Sequence, residues 1–208
     1  MIEPTASQPL AAPTFAQDAP LSWADTRALI ASDMTRLVTH LRADSLSHRM
    51  YYALLPGFQA LLWHRISRYF YLRNWRNASR LVSLFAIYLT RAEIPPTSSI
   101  GPSALICHAT GVYIFGHVGA RLTVHGHGGF GGGFGEDDIG AGPGYALVGD
   151  DVVVAFGARA FGAIRVGNGA KFGPGAQTTK DVPAGALVLW PQSRIIEGGA
   201  GAPLGTQP

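Results

Sequence analysis

VGDDVV VAFGAR AFGAIR VGNGAK FGPGAQ TTKDVP AGALVL, residues 148–189, opens each word of six on a small or apolar residue: Val148, Val154, Ala160, Val166, Phe172, Thr178 and Ala184. Glycine follows in four of the seven words, as Gly149, Gly167, Gly173 and Gly185. A helix repeats its apolar positions near 3.6 residues and a pleated strand near 2. A period of six fits neither. It fits a coil of short strands that turns every sixth residue, buries the first residue of each word and uses glycine at its tight corners.

The same period recurs upstream. From Ile94 the chain reads IPPTSS IGPSAL ICHATG VYIFGH VGARLT VHGHGG F, which places Ile94, Ile100, Ile106, Val112, Val118, Val124 and Phe130 at the first position of each word. The two blocks form one solenoid, interrupted by a glycine-rich loop at about 126–147. A loop of that length inside a compact domain is functional or disordered. Each coil buries its inner face only against its neighbours, so the solenoid needs several coils and a covered end.

The cover is helical and precedes the solenoid. Ser22, with Asp25 three residues on, opens a first helix whose stripe is Ile30, Met34, Leu37, Val38 and Leu41. A second helix starts near Pro56, with Phe58, Leu61, Leu62, Ile66, Tyr69 and Phe70 on one face and Arg65 and Arg68 outside it. A third runs over about 78–91 on Leu81, Leu84, Phe85 and Tyr88, and Pro95 and Pro96 end any helix there. The expected organisation is a disordered segment 1–20, a helical cap 21–92, a solenoid 93–196 and a flexible tail 197–208.

Composition narrows the partners. The chain has 208 residues, 27 of them glycine and 14 proline, but in the solenoid they fall in period, which argues against disorder. The net charge of +3 is scattered, with no basic run fit for nucleic acid. Cys107 is the one cysteine, so an internal disulfide is ruled out. No apolar run reaches the roughly 20 residues a membrane span needs, and the N-terminus does not read as a secretory signal. The expectation is a cytoplasmic protein with neither a membrane nor a nucleic-acid partner.

Three stretches carry a closer match: PGFQALLWHRIS (56–67), AEIPPTSSIGPSALI (92–106) and CHATGV (107–112). With the hexads of 148–189 and WPQSRII (190–196), they resemble serine acetyltransferase over roughly 24–196. The resemblance implies a left-handed parallel β-helix, mainly β with an α-helical N-terminal cap. It also implies a homotrimer with sites at subunit boundaries, and acetyl transfer from acetyl-CoA to a hydroxyl. A hydroxyl becomes a competent nucleophile when a base removes its proton in the transition state. His108 stands at the family's base, and Glu93 stands where the family has an aspartate that orients it.

The acceptor positions depart from the family. Cys107 replaces the aspartate before the base. Gly144 and Tyr145 replace an Arg-His pair, and Asp44 matches an upstream acid only across a gap. His127 is a candidate replacement for the missing histidine. For CoA, the resemblance points to Ala158, Gly162, Ala176 and Lys180, the last facing a phosphate. Two readings stay open: acetylation of serine or another hydroxyl acceptor, or a silent scaffold on the same fold. His117, His125 and His127 lack a ligand spacing specific to zinc, so no metal is expected. The family's VIGETAVIG is shortened here to YIFGHVG (113–119), which leaves two possible phases for the hexads after Val112.

Overall fold

The computed structural model describes residues 21–42, 45–133, 135 and 137–191. The segments 1–20 and 197–208 of the sequence reading, and Asp44, lie outside the described residues.

The chain turns three ways per coil. Strands β1 (Ser99–Ile100), β2 (Leu105–Ile106) and β3 (Tyr113–Ile114) each start a different sheet. The next three, β4 (Gly116–Val118), β5 (Thr123–Val124) and β6 (Gly129–Gly131), return to the same three sheets in the same order. So do β7 (Ala146–Val148), β8 (Val153–Val154) and β9 (Arg159–Phe161), and then β10 (Arg165–Val166), β11 (Lys171–Phe172) and β12 (Gln177–Thr178). A final strand, β13 (Leu187–Val188), joins the second sheet. Each pairing is parallel, and Ser99 pairs with His117 just as Leu105 pairs with Thr123. The three sheets are therefore the sides of a prism whose coils stack along its axis.

The inward columns match the hexads. Ile100, Val118, Val148 and Val166 line the first side; Ile106, Val124, Val154 and Phe172 line the second. Ile114, Phe130 and Ala160 line the third, all fully buried. Phe130 and Phe172 meet edge-on with ring centroids 6.3 Å apart, filling the axis where the neighbouring positions are small.

Two positions differ from the sequence reading. The inward residue of the third side in the first coil is Ile114, with Val112 buried at the corner before it. Val182, not Ala184, bridges to Val166 on the first side. The corner 107–112 holds two residues more than the corners 125–128, 155–158 and 173–176, while the next corner is Phe115 alone. The long and short corners cancel, so the count regains its phase at Val118. The loop departs from the third side after β6 and rejoins the first side at β7, so 126–131 belong to a corner and a strand.

Four helices close the first coil: α1 (Trp23–His40), α2 (Leu46–Ala53), α3 (Pro56–Leu72) and α4 (Arg76–Thr90). The capping box at Ser22 and Asp25 starts α1, as read from sequence. Its stripe is only partly covered: Leu37 is buried and Leu41 is exposed. α2 was not expected. Gly57 lets α3 lie directly on the solenoid, since a Cβ there would overlap the Ile106 carbonyl oxygen.

The polar side of α3 reverses the sequence reading. Arg65 and Arg68 are each 3% exposed and face inward. Arg65 donates to the carbonyls of Ile100 and Gly101 and is paired with Asp33 of α1 at 3.1 Å. Asp33 in turn accepts from the Ala104 amide. Arg68 donates to Pro96 and Thr97 carbonyls. The open end of a parallel coil exposes backbone carbonyls, and guanidinium groups satisfy several at once where an apolar stripe would leave them unpaired.

Candidate active site

His108 sits in the lengthened corner between β2 and β3. The extra residues push it off the prism edge, and it is solvent-exposed. The corner is pinned: the Cys107 amide donates to the Val124 carbonyl, Val112 N–H to Ala109, and Gly111 N–H to Arg91. Glu93, also exposed, runs beside this corner, its amide donating to the Val112 carbonyl and its carbonyl accepting from Ile114. No ion pair or hydrogen bond joins the Glu93 carboxylate to His108 among the described residues.

The coils below His108 are compact. Gly126 lies beneath it, and a Cβ there would come within 3.3 Å of the His108 Cβ and 3.2 Å of the Phe156 ring. Glycine thus lets the Phe156 ring rise under His108. His127, exposed with φ of 56°, hangs from the same edge, its amide bonded to Thr110 and its ring edge-on to Phe156 at 5.3 Å. His127 and Phe156 together make a half-apolar aromatic surface beside the His108 imidazole.

His125, set aside in the sequence reading as part of an unspecific histidine group, lies beside His108. Its ring centroid is 6.4 Å from that of His108, and its Nε2 is 3.8 Å from the Cys107 sulfur. Burial lowers its pKa, and the neighbouring His108 and His40 push the same way. The signal for it was legible only as spacing: with a coil of three hexads, residue 125 returns close to residue 107. Cys107 is half-buried against the packing of α1 and α3. Burial raises its thiol pKa, with Arg36 acting in the opposite sense, so the thiol is not poised as a nucleophile.

The remaining nominated residues fall elsewhere. Tyr145 lies on the edge between the third and first sides, against Phe115 at 5.6 Å, and so on a different edge from His108 within one chain. Gly144 precedes it with φ of 71°. Ala158 and Ala176 are buried at the corners below His108, and each spends its amide and carbonyl inside the coil. Gly162 and Lys180 border the same third side from its other edge. Lys180 is exposed, its amide held by the Thr178 hydroxyl at 3.1 Å. Among the described residues no three His, Cys, Asp or Glu side chains are grouped to hold a metal. An open cleft of about 690 Å³ lies between α1 and the solenoid, lined by Arg36, His40, Ser103 and Arg121 among others, but not by His108, Glu93 or the residues matched to CoA.

No family model matches the chain. A serine acetyltransferase of Helicobacter pylori is 33% identical over 145 residues, which cover 69% of this chain and 82% of that protein. The chain belongs to the serine acetyltransferase family. Serine acetyltransferases of Bacillus pumilus and Mycobacterium tuberculosis are each 34% identical over 142 and 143 residues, and there the match spans 64% and 61% of the relative. The chain thus spans about three fifths of the length of these two family members. Among solved structures, serine acetyltransferase isoform 3 of Entamoeba histolytica, in complex with cysteine, aligns with a TM-score of 0.73 at 24% identity over 85% of this chain and 63% of that one. A serine acetyltransferase in complex with CoA aligns with a TM-score of 0.66 at 22% identity over 84% of this chain and 71% of that one. The family fold, a helical cap on stacked parallel coils, is the fold described above.

Proposed function

We propose that the chain is an acetyl-CoA-dependent O-acetyltransferase of the serine acetyltransferase type, built on a left-handed β-helix and working in the cytoplasm as a trimer. The observation that carries this reading is the exposed His108, thrown out by a lengthened corner in a chain of this family. In the proposed step the His108 imidazole takes the proton of the acceptor hydroxyl as its oxygen attacks the thioester carbonyl. The tetrahedral adduct then collapses, the C–S bond breaks, and the imidazolium returns the proton to the departing CoA sulfur.

Glu93 is the proposed orienting partner, reaching His108 by side-chain rotation from the segment that bridges to Tyr113. An imidazole and a carboxylate on an open edge work poorly in bulk water, so a second surface has to close over them. A neighbouring copy supplies it in this reading and brings Tyr145 from its other edge. CoA lies along the third side, past Ala158, Ala176 and Gly162, with Lys180 toward a phosphate. The coil's own amides are spent at Ala158 and Ala176, so shape and the lysine charge do most of the holding there. Serine is the family's acceptor. A different hydroxyl acceptor is the second reading, favoured by a half-buried Cys107 that brings no charge to the site and by the absence of a side chain at Gly144.

The test is thiol release from acetyl-CoA over a panel of hydroxyl acceptors, serine among them, for the wild-type chain and for His108→Ala. Turnover with one acceptor that falls at least about a hundredfold in the variant, with the circular dichroism spectrum unchanged, is the expected result. Turnover unaffected by the substitution overturns the base, and no thiol release with any acceptor favours a scaffold.

A further inference from the structure

The third helix of the sequence reading turns its large apolar residues outward. α4 packs on α3 through small and polar residues: Ser79, Ala86 and Thr90 are its buried positions. Ser67 and Ser79 exchange hydrogen bonds, each hydroxyl donating to the other's carbonyl at 3.0 and 2.9 Å, which fixes the rotation of the helix. The stripe at helical spacing, Leu81, Leu84, Tyr88 and Leu89, is therefore left facing solvent, with Leu81 69% and Tyr88 73% exposed. Phe85 beside it leans on Trp63 and stays half exposed. Trp75, in the turn before α4, adds an exposed indole. Single exposed leucines are ordinary; a contiguous stripe along one helix is not.

The charge around the stripe has one sign. From residue 45 to residue 92 the sequence holds no Asp or Glu, and its arginines are Arg49, Arg65, Arg68, Arg73, Arg76, Arg80 and Arg91. Arg65 and Arg68 are used on the solenoid end. Arg76, Arg80 and Arg91 flank the stripe on one side of α4, and Arg73 lies over the Tyr69 ring in the turn before it. Glu93, exposed beside the His108 corner, is the first acid after α4; Asp150 and Asp151 pair with Arg121, and Asp181 accepts from the Arg165 amide.

We propose that this face of α4 docks on the surface of an anionic lipid bilayer. A helix with leucine and aromatic residues on one side and arginine at its rim lies in the interface, its apolar stripe among the acyl chains and its guanidinium groups at the phosphates. No helix among the described residues is long and apolar enough to cross a membrane, so the contact is with the surface. A second copy is a poorer occupant, because symmetric pairing sets arginine rim against arginine rim with no acid within α4 to answer it. Nucleic acid answers the charge but not the apolar stripe.

The test is flotation of the full chain through a density gradient with vesicles of phosphatidylcholine alone or with phosphatidylglycerol added, alongside sizing of the protein without lipid. The expected result is flotation with the anionic vesicles only, weakened by salt. The triple variant Leu81→Ser, Leu84→Ser, Tyr88→Ser stays at the bottom. The double variant Arg76→Gln, Arg80→Gln, which changes two exposed side chains, the first lying over the Tyr71 ring and donating to Asn74, keeps the fold and lowers partitioning roughly twenty-fold or more, at about fivefold per arginine. Wild-type protein that floats with neither vesicle overturns the proposal. So does a triple variant that floats as well as wild type. A triple variant that shrinks to a smaller assembly, where wild type does not float, assigns the stripe to contact between copies and equally overturns it.

Discussion

The rings of His108 and His125 lie 6.4 Å apart, on successive coils of one prism edge. Burial, His108 and His40 all disfavour a proton on His125. Removing His108 takes away one of those influences. In His108→Ala, an NMR titration is expected to show His125 gaining its proton at a higher pH than in the wild-type chain. An unmoved His125 titration contradicts the coupling between the two rings.

A second expectation concerns acid. His64 is 1% exposed, and its pKa is well below the ordinary value because of burial first and the Arg65 and Arg68 cations second. The unfolded chain therefore binds a proton near pH 6.5 that the folded chain refuses. Stability from this group is complete above that pH and is lost as pH falls from about 6.5 toward the lowered folded value. Urea unfolding at stepped pH is expected to show that slope, and His64→Leu to flatten it, whatever its effect at neutral pH.

Asp33 holds Arg65 where the guanidinium also serves two solenoid carbonyls. Deleting the carboxylate strands a buried cation. Asp33→Ala is expected to cost about 3–5 kcal/mol in denaturant unfolding, and Asp33→Asn less. A cost below about 1 kcal/mol for the alanine variant shows that the pair contributes no more than a surface contact.

Gly57 is where α3 touches the Ile106 carbonyl, two residues before His108. A methyl group there has to push the helix away from the coil. Gly57→Ala is expected to destabilise by about 1–3 kcal/mol, as overpacking does, and to slow acetyl transfer more than Gly169→Ala, where a Cβ meets nothing within 4 Å and the cost is the strain of a φ of 69° instead. Equal activity in the two variants removes the link between cap seating and the corner.

CoA alone is a fifth probe. A ligand of the folded state at a hundred times its Kd adds about 2.7 kcal/mol, so the melting temperature is expected to rise by several degrees. Reversing the charge in Lys180→Glu is expected to reduce that rise. An equal rise in both proteins takes Lys180 out of the CoA contact.

The repeat of six was decisive because it is local. In a stacked coil a residue faces in or out according to its count along the chain, so Val118, Val148 and Phe172 could be assigned to the core from sequence, and Ser22 to a helix start. His108 could be singled out by its surrounding motif. Counting failed only where corners changed length: at Val112, where a longer corner and a shorter one leave the total unchanged, and at Ala184, where the corner is two residues short and the phase stays shifted through Val188. The sides of the helices were a different matter. An amphipathic stripe states that a face is apolar, not that anything covers it. The carbonyls at the end of the solenoid drew Arg65 and Arg68 inward, and the Ser67–Ser79 exchange turned Leu81, Leu84 and Tyr88 outward. Only the stacked coils bring His125 beside His108, since that neighbour is set by the length of a full turn and not by either residue's surroundings in the chain.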